Sequence, residues 1–305
     1  MYGLEECYFL GVICARGTFN YNDNQIQIFI PYKKSVLKGK KKDHDHSARL
    51  LFGLNEIANR FKKRLGTVTE IIPGSATKSS GVHSLIIKLE TSTIMWDMLY
   101  KPFDKQETYK SMQVPEMFFD KKKTNQDQVK EFIKGYSDIA GTIRSSNNDQ
   151  NGIHRVYIDV MNNKDNWAVP AQLCSLFQQR LDVPVREIMY GHPNLNRKFR
   201  EHQIRIDAVS FSKKIGFNFS HKQDVLLELA NENIKTGIRP IKICPGLKGK
   251  PKTRKKKPKH PEEKNSEKLP AKLVGKHFNR FAEICSSCGC IQDQKIKLKE
   301  RPELK

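Results

Sequence analysis

Apolar and polar residues alternate along four segments of the chain, and this spacing is typical of a β-strand with one buried face. The apolar members are Ile26, Ile28 and Ile30, then Leu85, Ile87 and Leu89, then Val156, Ile158 and Val160, and last Ile204 and Ile206. The residues between them are Gln25, Gln27 and Phe29, then Ser84 and Lys88, then Arg155, Tyr157 and Asp159, and last Gln203, Arg205 and Asp207. Each strand is therefore predicted to bury one face and to present polar side chains on the other.

Two helical segments 124 residues apart have the same pattern. The letters YFLGVICARGTF begin at Tyr8 and the letters EFIKGYSDIAGTI begin at Glu131. Each is an apolar helix with an internal glycine, followed by a second glycine and a β-type run. In both halves the next elements are a strand, a longer helical stretch (residues 48–66 and 169–184) and two more strands. This repetition predicts an internal duplication in which each half is built as αββαββα.

The predicted fold class is therefore α+β, with two antiparallel sheets that are each backed by helices. The predicted parts of the chain are a first repeat at residues 1–125, a second repeat at 126–240, a basic linker at 241–268 and a short C-terminal helical tail at 269–305.

The two last parts differ from the repeats in composition. Residues 248–268 read KGKPKTRKKKPKHPEEKNSEK, have almost no apolar members and are predicted to be extended or disordered. Such a basic arm would follow phosphates without reading sequence; a nuclear import signal and a solvated spacer are the alternatives. Beyond it, Phe278, Phe281 and Ile284 have helical spacing and predict a short helix that docks on the body or on a partner protein.

Charge narrows the class of partner, and cysteine content narrows the class of cellular compartment. With 55 Lys and Arg against 33 Asp and Glu, the formal charge is +22 over 305 residues, which favours a polyanion. No apolar run approaches the ~20 residues of a membrane span, and no charged leader precedes an apolar segment at the N-terminus. Seven scattered cysteines favour a reducing compartment. We expect a soluble cytoplasmic protein associated with DNA, or a nuclear or organellar one in a eukaryote.

The polar strand faces carry the side chains that read base edges in the major groove. Gln pairs with adenine, and Arg or Lys pairs with guanine. An ordinary solvated sheet face is the alternative, but the charge and the duplication favour double-stranded DNA. The predicted DNA-contacting residues are Gln25, Gln27, Lys33, Lys88, Arg144, Arg155, Tyr157, Asp159, Arg197, Lys198, Arg200, Gln203, Arg205 and Asp207.

The glycine helices resemble the nine-residue motif of the LAGLIDADG homing endonucleases, at residues 9–17 (FLGVICARG) and 133–141 (IKGYSDIAG). The resemblance covers roughly residues 5–235. It implies a monomer with pseudo-twofold symmetry, in which the two motif helices pack at the centre and the two sheets form a saddle over DNA. Gly11 and Gly135 would lie in the helix interface, because a residue without a Cβ lets two backbones approach closely.

The chain departs from this family at the acid that precedes the final glycine of each motif. In active members this acid holds a divalent cation against the scissile phosphate, whereas here the positions are Arg16 and Ala140. Mg²⁺ needs anionic oxygen ligands, which neither side chain supplies, so the usual catalytic site is predicted to be absent. A phosphate contact is one interpretation of Arg16, and a surface arginine without a ligand is the other.

Other candidate catalytic groups give weaker signals. Asp138 lies two residues before Ala140 and should point to another side of the helix. His192 and His202 flank a basic segment and could supply a general base, although polar contacts to the DNA backbone are the simpler interpretation.

Metal sites are not predicted, and Mg²⁺ is expected only if the protein is an active nuclease. The two weak candidates are a loop with Asp43, His44, Asp45 and His46, and a tail group with Cys285, Cys288 and Cys290, joined by His277 or Cys244. The first group lies in a lysine-rich loop, which disfavours a cation. Zinc sites usually show two regularly spaced ligand pairs, which the tail group lacks, so buried or free thiols are the simpler interpretation.

Three functions remain open from the sequence. The favoured one is a site-specific double-stranded DNA-binding protein that lacks the usual metal-dependent cleavage. An active DNA endonuclease that uses other residues or a partner subunit is the first alternative. An RNA-binding intron maturase is the second, because some relatives of the family act in splicing.

Overall fold

A computed structural model describes residues 2–31, 44–72, 82–88, 93–144, 153–161, 168–190, 202–237 and 281–283. Within these ranges the helices are α1 (Leu4–Arg16), α2 (His44–Leu65), α3 (Thr93–Tyr100), α4 (Gln126–Ala140), α5 (Ala168–Ser175, continued by a π-helical turn at Leu176–Arg180), α6 (Ala208–Lys214) and α7 (Ser220–Lys235). The strands are β1 (Gly17–Asn20), β2 (Gln25–Pro31), β3 (Val68–Ile72), β4 (Val82–Lys88), β5 (Gly141–Arg144), β6 (Arg155–Val160), β7 (Val185–Tyr190), β8 (His202–Asp207) and β9 (Phe281–Glu283).

The strands form two antiparallel sheets with the same internal order, β1-β2-β4-β3 in the first half and β5-β6-β8-β7-β9 in the second. Their registers also correspond. The row Gly17, Ile28, Leu85 and Ile71 in the first sheet is matched by the row Gly141, Ile158, Ile204 and Ile188 in the second. The α+β class and the αββαββα order of each half are confirmed.

The alternating strand pattern separates a core face from an outer face, as predicted. Ile26 and Ile28 of β2 and Val156 and Ile158 of β6 are fully buried. They belong to one continuous core that also contains α1, α4 and the inner side of α2. Burial of these branched side chains fixes the register, because a shift of one residue would turn every apolar side chain outward.

The helices α1 and α4 pack against each other with their backbones in contact. A Cβ added at Gly11 would lie 2.0 Å from the carbonyl oxygen of Phe132, and one added at Gly135 would lie 2.1 Å from the carbonyl oxygen of Tyr8. Both distances are shorter than any real Cβ contact, so only glycine permits this approach. The pair therefore forms the axis between the two sheets.

Both helices pass directly into a strand. Gly17 follows α1 and Gly141 follows α4, and both have extended φ values of −83° and −84°. A Cβ at Gly17 would lie 2.7 Å from the carbonyl oxygen of Ile13, so the abrupt exit from the helix has no room for a side chain. Strands β1 and β5 consequently begin at the helix ends.

The predicted helix in the C-terminal tail is wrong at residues 281–283. These residues form β9, which pairs with β7 through Ile188 and Ala282 and through Met189 and Phe281. Without β9, β7 would be the edge strand, and its outer N–H and C=O groups would be available to any extended segment that reaches it. Three apolar residues at helical spacing were too short a signal to distinguish helix from strand. The rest of the linker and tail, including Phe278 and Ile284, lies outside the described residues.

No helix in the described ranges is long and apolar enough to cross a membrane. The division of the chain at residues 125 and 240 stays a prediction.

Candidate nucleic-acid interface

The outer face of the first sheet presents polar side chains from β2 and β4. Gln25 and Gln27 are half-buried and Lys88 is exposed, and all three alternate with buried isoleucines. Gln25 lies directly opposite Lys88 in the β2–β4 register. An amide and an ammonium side chain are therefore neighbours on this face.

The second sheet presents Tyr157, Gln203 and Arg205 on its outer face, all half-buried. The Arg205 guanidinium lies 5.4 Å from the centre of the Tyr157 ring, which is a cation–π contact across β6 and β8. Gln203 donates a 3.0 Å hydrogen bond from Nε2 to Oδ1 of Asp159. These contacts restrict the rotamers of the polar side chains, which lowers the entropy that a ligand would have to remove.

Three predicted DNA-contacting residues are not on the surface. Arg155, Asp159 and Asp207 are 5%, 1% and 2% exposed. Asp207 forms a 2.9 Å ion pair with Arg186, and Asp159 accepts the hydrogen bond from Gln203. Alternation identifies the outer face of a strand, but it does not reveal when long neighbouring side chains cover that face. These three side chains lie beneath the outer surface, and their contact with bases stays a prediction.

Several predicted residues fall outside the described part of the chain. They are Lys33, His192, Arg197, Lys198 and Arg200, together with Asp43, Cys244, His277, Cys285, Cys288 and Cys290. Only the backbone is described for Arg144, which pairs with Arg155 in the β5–β6 register, and for His44, Asp45 and His46 at the start of α2.

The C-terminal ends of α1 and α4 lie close together. Arg16, the last residue of α1, donates from Nη1 to the thioether of Met161. Met161 directly follows β6, in which Ile158 pairs with Gly141 at the end of α4. The Arg16 guanidinium also lies 5.7 Å from the centre of the Tyr109 ring. Strands of both outer faces begin here, so the helix ends form the midpoint between the two sheets.

Arg16 is 2% exposed, and its Nε and Nη2 atoms have no hydrogen-bond partner among the described residues. The sequence left open a phosphate contact or a surface position for Arg16, and the structure places it below the surface.

The end of α4 holds a second cation that sequence reasoning missed. The ammonium of Lys222, on α7, donates to the carbonyl oxygens of Asp138 and Gly141 at 2.6 and 2.7 Å. Burial lowers the pKa of Lys222 to about 8, and the charge of Asp138 opposes this change. Cations are favourable at a helix C-terminus, where the carbonyl groups carry partial negative charge. Lys222 is distant in sequence from both motifs, so no local signal could have identified it.

Asp138 is fully buried and connects three helices. Its Oδ2 accepts a 2.8 Å hydrogen bond from the Tyr8 hydroxyl, and its Oδ1 accepts a 2.9 Å bond from the backbone N–H of Asn218 before α7. Burial raises the pKa of Asp138 to about 6, while Lys222 and these hydrogen bonds act in the opposite direction. Both carboxylate oxygens are therefore occupied by hydrogen bonds within the protein.

His202 is also fully buried, at the start of β8. Desolvation lowers its pKa to about 4, so the imidazole is neutral at physiological pH. A general base must reach its substrate, and this side chain lies in the interior.

The groups at the helix ends do not fit a divalent cation. Arg16, Ala140 and Lys222 supply no anionic oxygen, and Lys222 occupies two of the carbonyl oxygens that a hard cation could use. No group of three or more His, Cys, Asp or Glu side chains that could hold a metal is present among the described residues.

Comparisons with known proteins give a weak structural similarity. No protein-family model matches the chain, and no curated protein matches it. A crystal structure of the LAGLIDADG homing endonuclease I-GzeII in complex with its DNA target matches with a TM-score of 0.36 and 12% identity, covering 76% of this chain and 91% of that chain.

Proposed function

We propose that this protein binds double-stranded DNA site-specifically, with one sheet on each half of the target, and does not cleave it by metal-dependent chemistry at the motif ends. The observation that carries the proposal is the matched register of two sheets around one helix pair, each with base-reading side chains on its outer face. The net charge of +22 supports a polyanionic ligand.

Duplex DNA fits these faces better than duplex RNA does. The outer faces carry Gln25, Gln27 and Lys88 on one sheet and Gln203 and Arg205 on the other. A two-stranded ribbon of such residues can enter the wide major groove of B-DNA, where each base pair has a distinct donor and acceptor pattern. The major groove of A-form RNA is too narrow for side chains to read.

Selection from a random duplex library tests the proposal. Pure full-length protein is incubated with the library in EDTA, in Mg²⁺ and in Mn²⁺, and both enrichment and strand cutting are measured. We expect one duplex motif to be enriched under all three conditions, without cutting. Site-specific cutting by the protein alone would support the endonuclease alternative, and preference for structured RNA would support the maturase alternative.

A matched pair of lysine substitutions tests the assigned face. Lys88 is exposed on the outer face of β4, and Lys62 is exposed on α2, which backs the same sheet. We expect Lys88→Ala to weaken DNA binding and Lys62→Ala to leave it unchanged, although each removes one positive charge. Equal effects would indicate that charge alone, and not this face, determines binding.

Arg205→Ala tests sequence reading. Removal of a guanidinium that contacts a base should reduce discrimination at one position of the selected motif by about 1–3 kcal/mol, while a phosphate contact would weaken all sequences alike. Repeating the selection with the variant distinguishes these two results.

A further inference from the structure

We infer that Arg16 forms an anion site for one backbone phosphate of the bound duplex, at the midpoint between the two sheets where the motif helices end. The inference rests on the proposed function, and it identifies a backbone phosphate as the DNA group at the centre of the interface. It follows from four features of the side chain and its surroundings.

The first feature is an unpaired buried cation. Arg16 is 2% exposed, and no carboxylate in the described ranges pairs with it. Within the part of the chain that the structure describes, its one hydrogen-bond acceptor is the thioether of Met161, which is a weak acceptor. A buried charge without a partner is costly, so a side chain kept in this state calls for an explanation.

The second feature is the identity of the free donors. Nε and Nη2 form the edge of a guanidinium that donates two parallel hydrogen bonds to an oxyanion. Arg60 of the same chain shows this edge occupied: its Nε and Nη2 each donate a 2.9 Å hydrogen bond to the carboxylate of Glu5. In Arg16 no described residue pairs with this edge, and two phosphate oxygens would satisfy it.

The third feature is position. β1 begins at Gly17 and β5 begins at Gly141, so the strands of both outer faces start beside Arg16. A duplex that contacts both faces must carry its backbone across this point. At the neighbouring helix end, Lys222 directs two donors to carbonyl oxygens of the protein, whereas Nε and Nη2 of Arg16 have no acceptor among the described residues.

The fourth feature is the pair of side chains that cover the Arg16 guanidinium. Met161 and Tyr109 are half-buried and lie against the guanidinium. Methionine has three rotatable bonds, and a phosphate oxygen is a far stronger acceptor than a thioether. Rotation of the Met161 side chain would therefore open the site as a phosphate arrives.

Arg16 places a positive side chain where a metal-dependent motif would have an acid. Acids would bind the phosphate only through a bridging divalent cation, whereas the Arg16 guanidinium would bind it directly. Binding should accordingly be independent of Mg²⁺.

Substitution of Arg16 by Met and by Lys tests the inference. Full-length variants are titrated with the selected duplex over a series of KCl concentrations, and their thermal unfolding is measured without DNA. We expect Arg16→Met to weaken binding about 10- to 100-fold at low salt and to reduce the slope of log K against log[salt] by about 1. Arg16→Lys should keep the slope and lose part of the affinity, because the charge remains and the paired donors do not.

Stability separates this role from a structural one. Replacing an unpaired buried cation by an apolar side chain of similar length should leave the melting temperature unchanged or raise it. A purely structural arginine would instead lower the melting temperature. Unchanged DNA affinity and salt slope in Arg16→Met, with normal binding by the wild type, would overturn the inference alone; failure of the wild type to bind duplex DNA would overturn the proposed function.

A neutral phosphate analogue locates the contact. Methylphosphonate linkages are placed singly along the centre of the selected duplex and each is titrated with wild type and with Arg16→Met. At one linkage we expect the wild type to lose affinity and the variant to show no further loss, because both changes remove the same interaction. Equal losses for both proteins at every linkage would place Arg16 away from the phosphates.

Discussion

The Tyr8 hydroxyl donates a 2.8 Å hydrogen bond to the carboxylate of Asp138, across 130 residues of sequence. The bond joins the first motif helix to the second, and the same carboxylate accepts a backbone N–H of Asn218 before α7. Asp138 therefore ties the end of α4 to α1 and to the segment before α7, while the Lys222 ammonium binds the carbonyl oxygens beside it.

Stability should depend on pH through Asp138. Its pKa in the folded protein is raised from 3.8 to about 6, so the folded state binds this proton more tightly than the unfolded state does. The resulting stabilisation is fully present below pH ~4 and is lost as the pH rises through ~6. We expect the free energy of unfolding of the wild type, relative to Asp138→Asn, to fall by about 2 kcal/mol between pH 4 and pH 6.5.

Urea unfolding at half-unit steps between pH 4 and pH 6.5 measures this difference. Asp224→Asn is the control, because its carboxylate side chain is 67% exposed, and its profile should follow that of the wild type. A wild-type curve parallel to that of Asp138→Asn would show that the carboxylate titrates as it does in the unfolded chain.

Asp138 and Lys222 should be energetically coupled. Lys222→Met leaves a buried carboxylate without its nearby cation, and Asp138→Asn leaves a buried ammonium without its anion. Each single change should cost several kcal/mol at pH 7, and the double variant should cost less than the sum by about 2 kcal/mol or more. A double-mutant cycle from denaturant unfolding measures this coupling; strict additivity would contradict it.

The glycine contact between α1 and α4 should not tolerate a methyl group. Gly11→Ala and Gly135→Ala would each place a Cβ about 2 Å from a carbonyl oxygen, so the helices would have to separate. We expect a loss of at least about 3 kcal/mol of unfolding free energy for each. Gly66→Ala is the matched control: its φ of +64° is strained for alanine, but nothing lies within 4 Å, so it should cost only about 1 kcal/mol.

The strand β9 should protect the edge of the second sheet. Replacing residues 281–283 by glycine weakens a strand without changing chain length. Amide hydrogen exchange at Ile188 and Met189 of β7 should then accelerate, while exchange in β3, the corresponding strand of the first sheet, should not change. Unchanged exchange in β7 would indicate that the pairing with β9 contributes no protection.

Sequence patterns predicted the repeated parts of this fold because those parts are encoded locally. The period of two in β2 and β6 follows from the geometry of a strand, and the glycines at Gly11 and Gly135 follow from a close helix contact. Both signals are visible within a dozen residues. They were sufficient for the α+β class and for the order of elements in each half.

The buried polar groups could not be predicted in the same way. The contacts of Asp138 with Tyr8 and Asn218 and the position of Lys222 depend on residues 80 or more positions away. The burial of Arg155 and the pairing of β9 likewise depend on neighbours brought by the tertiary fold. Local periodicity gives the face of an element and carries no information about what covers it.

The two sheets share one register but not one set of side chains. Gln25 and Lys88 in the first sheet occupy the positions that Arg155 and Asp207 occupy in the second, and Gln27 corresponds to Tyr157. A duplex read by these faces would therefore have two unlike halves and no palindrome. The protein would sit on such a site in a single direction, so that the bound complex would distinguish the upstream side of its target from the downstream side.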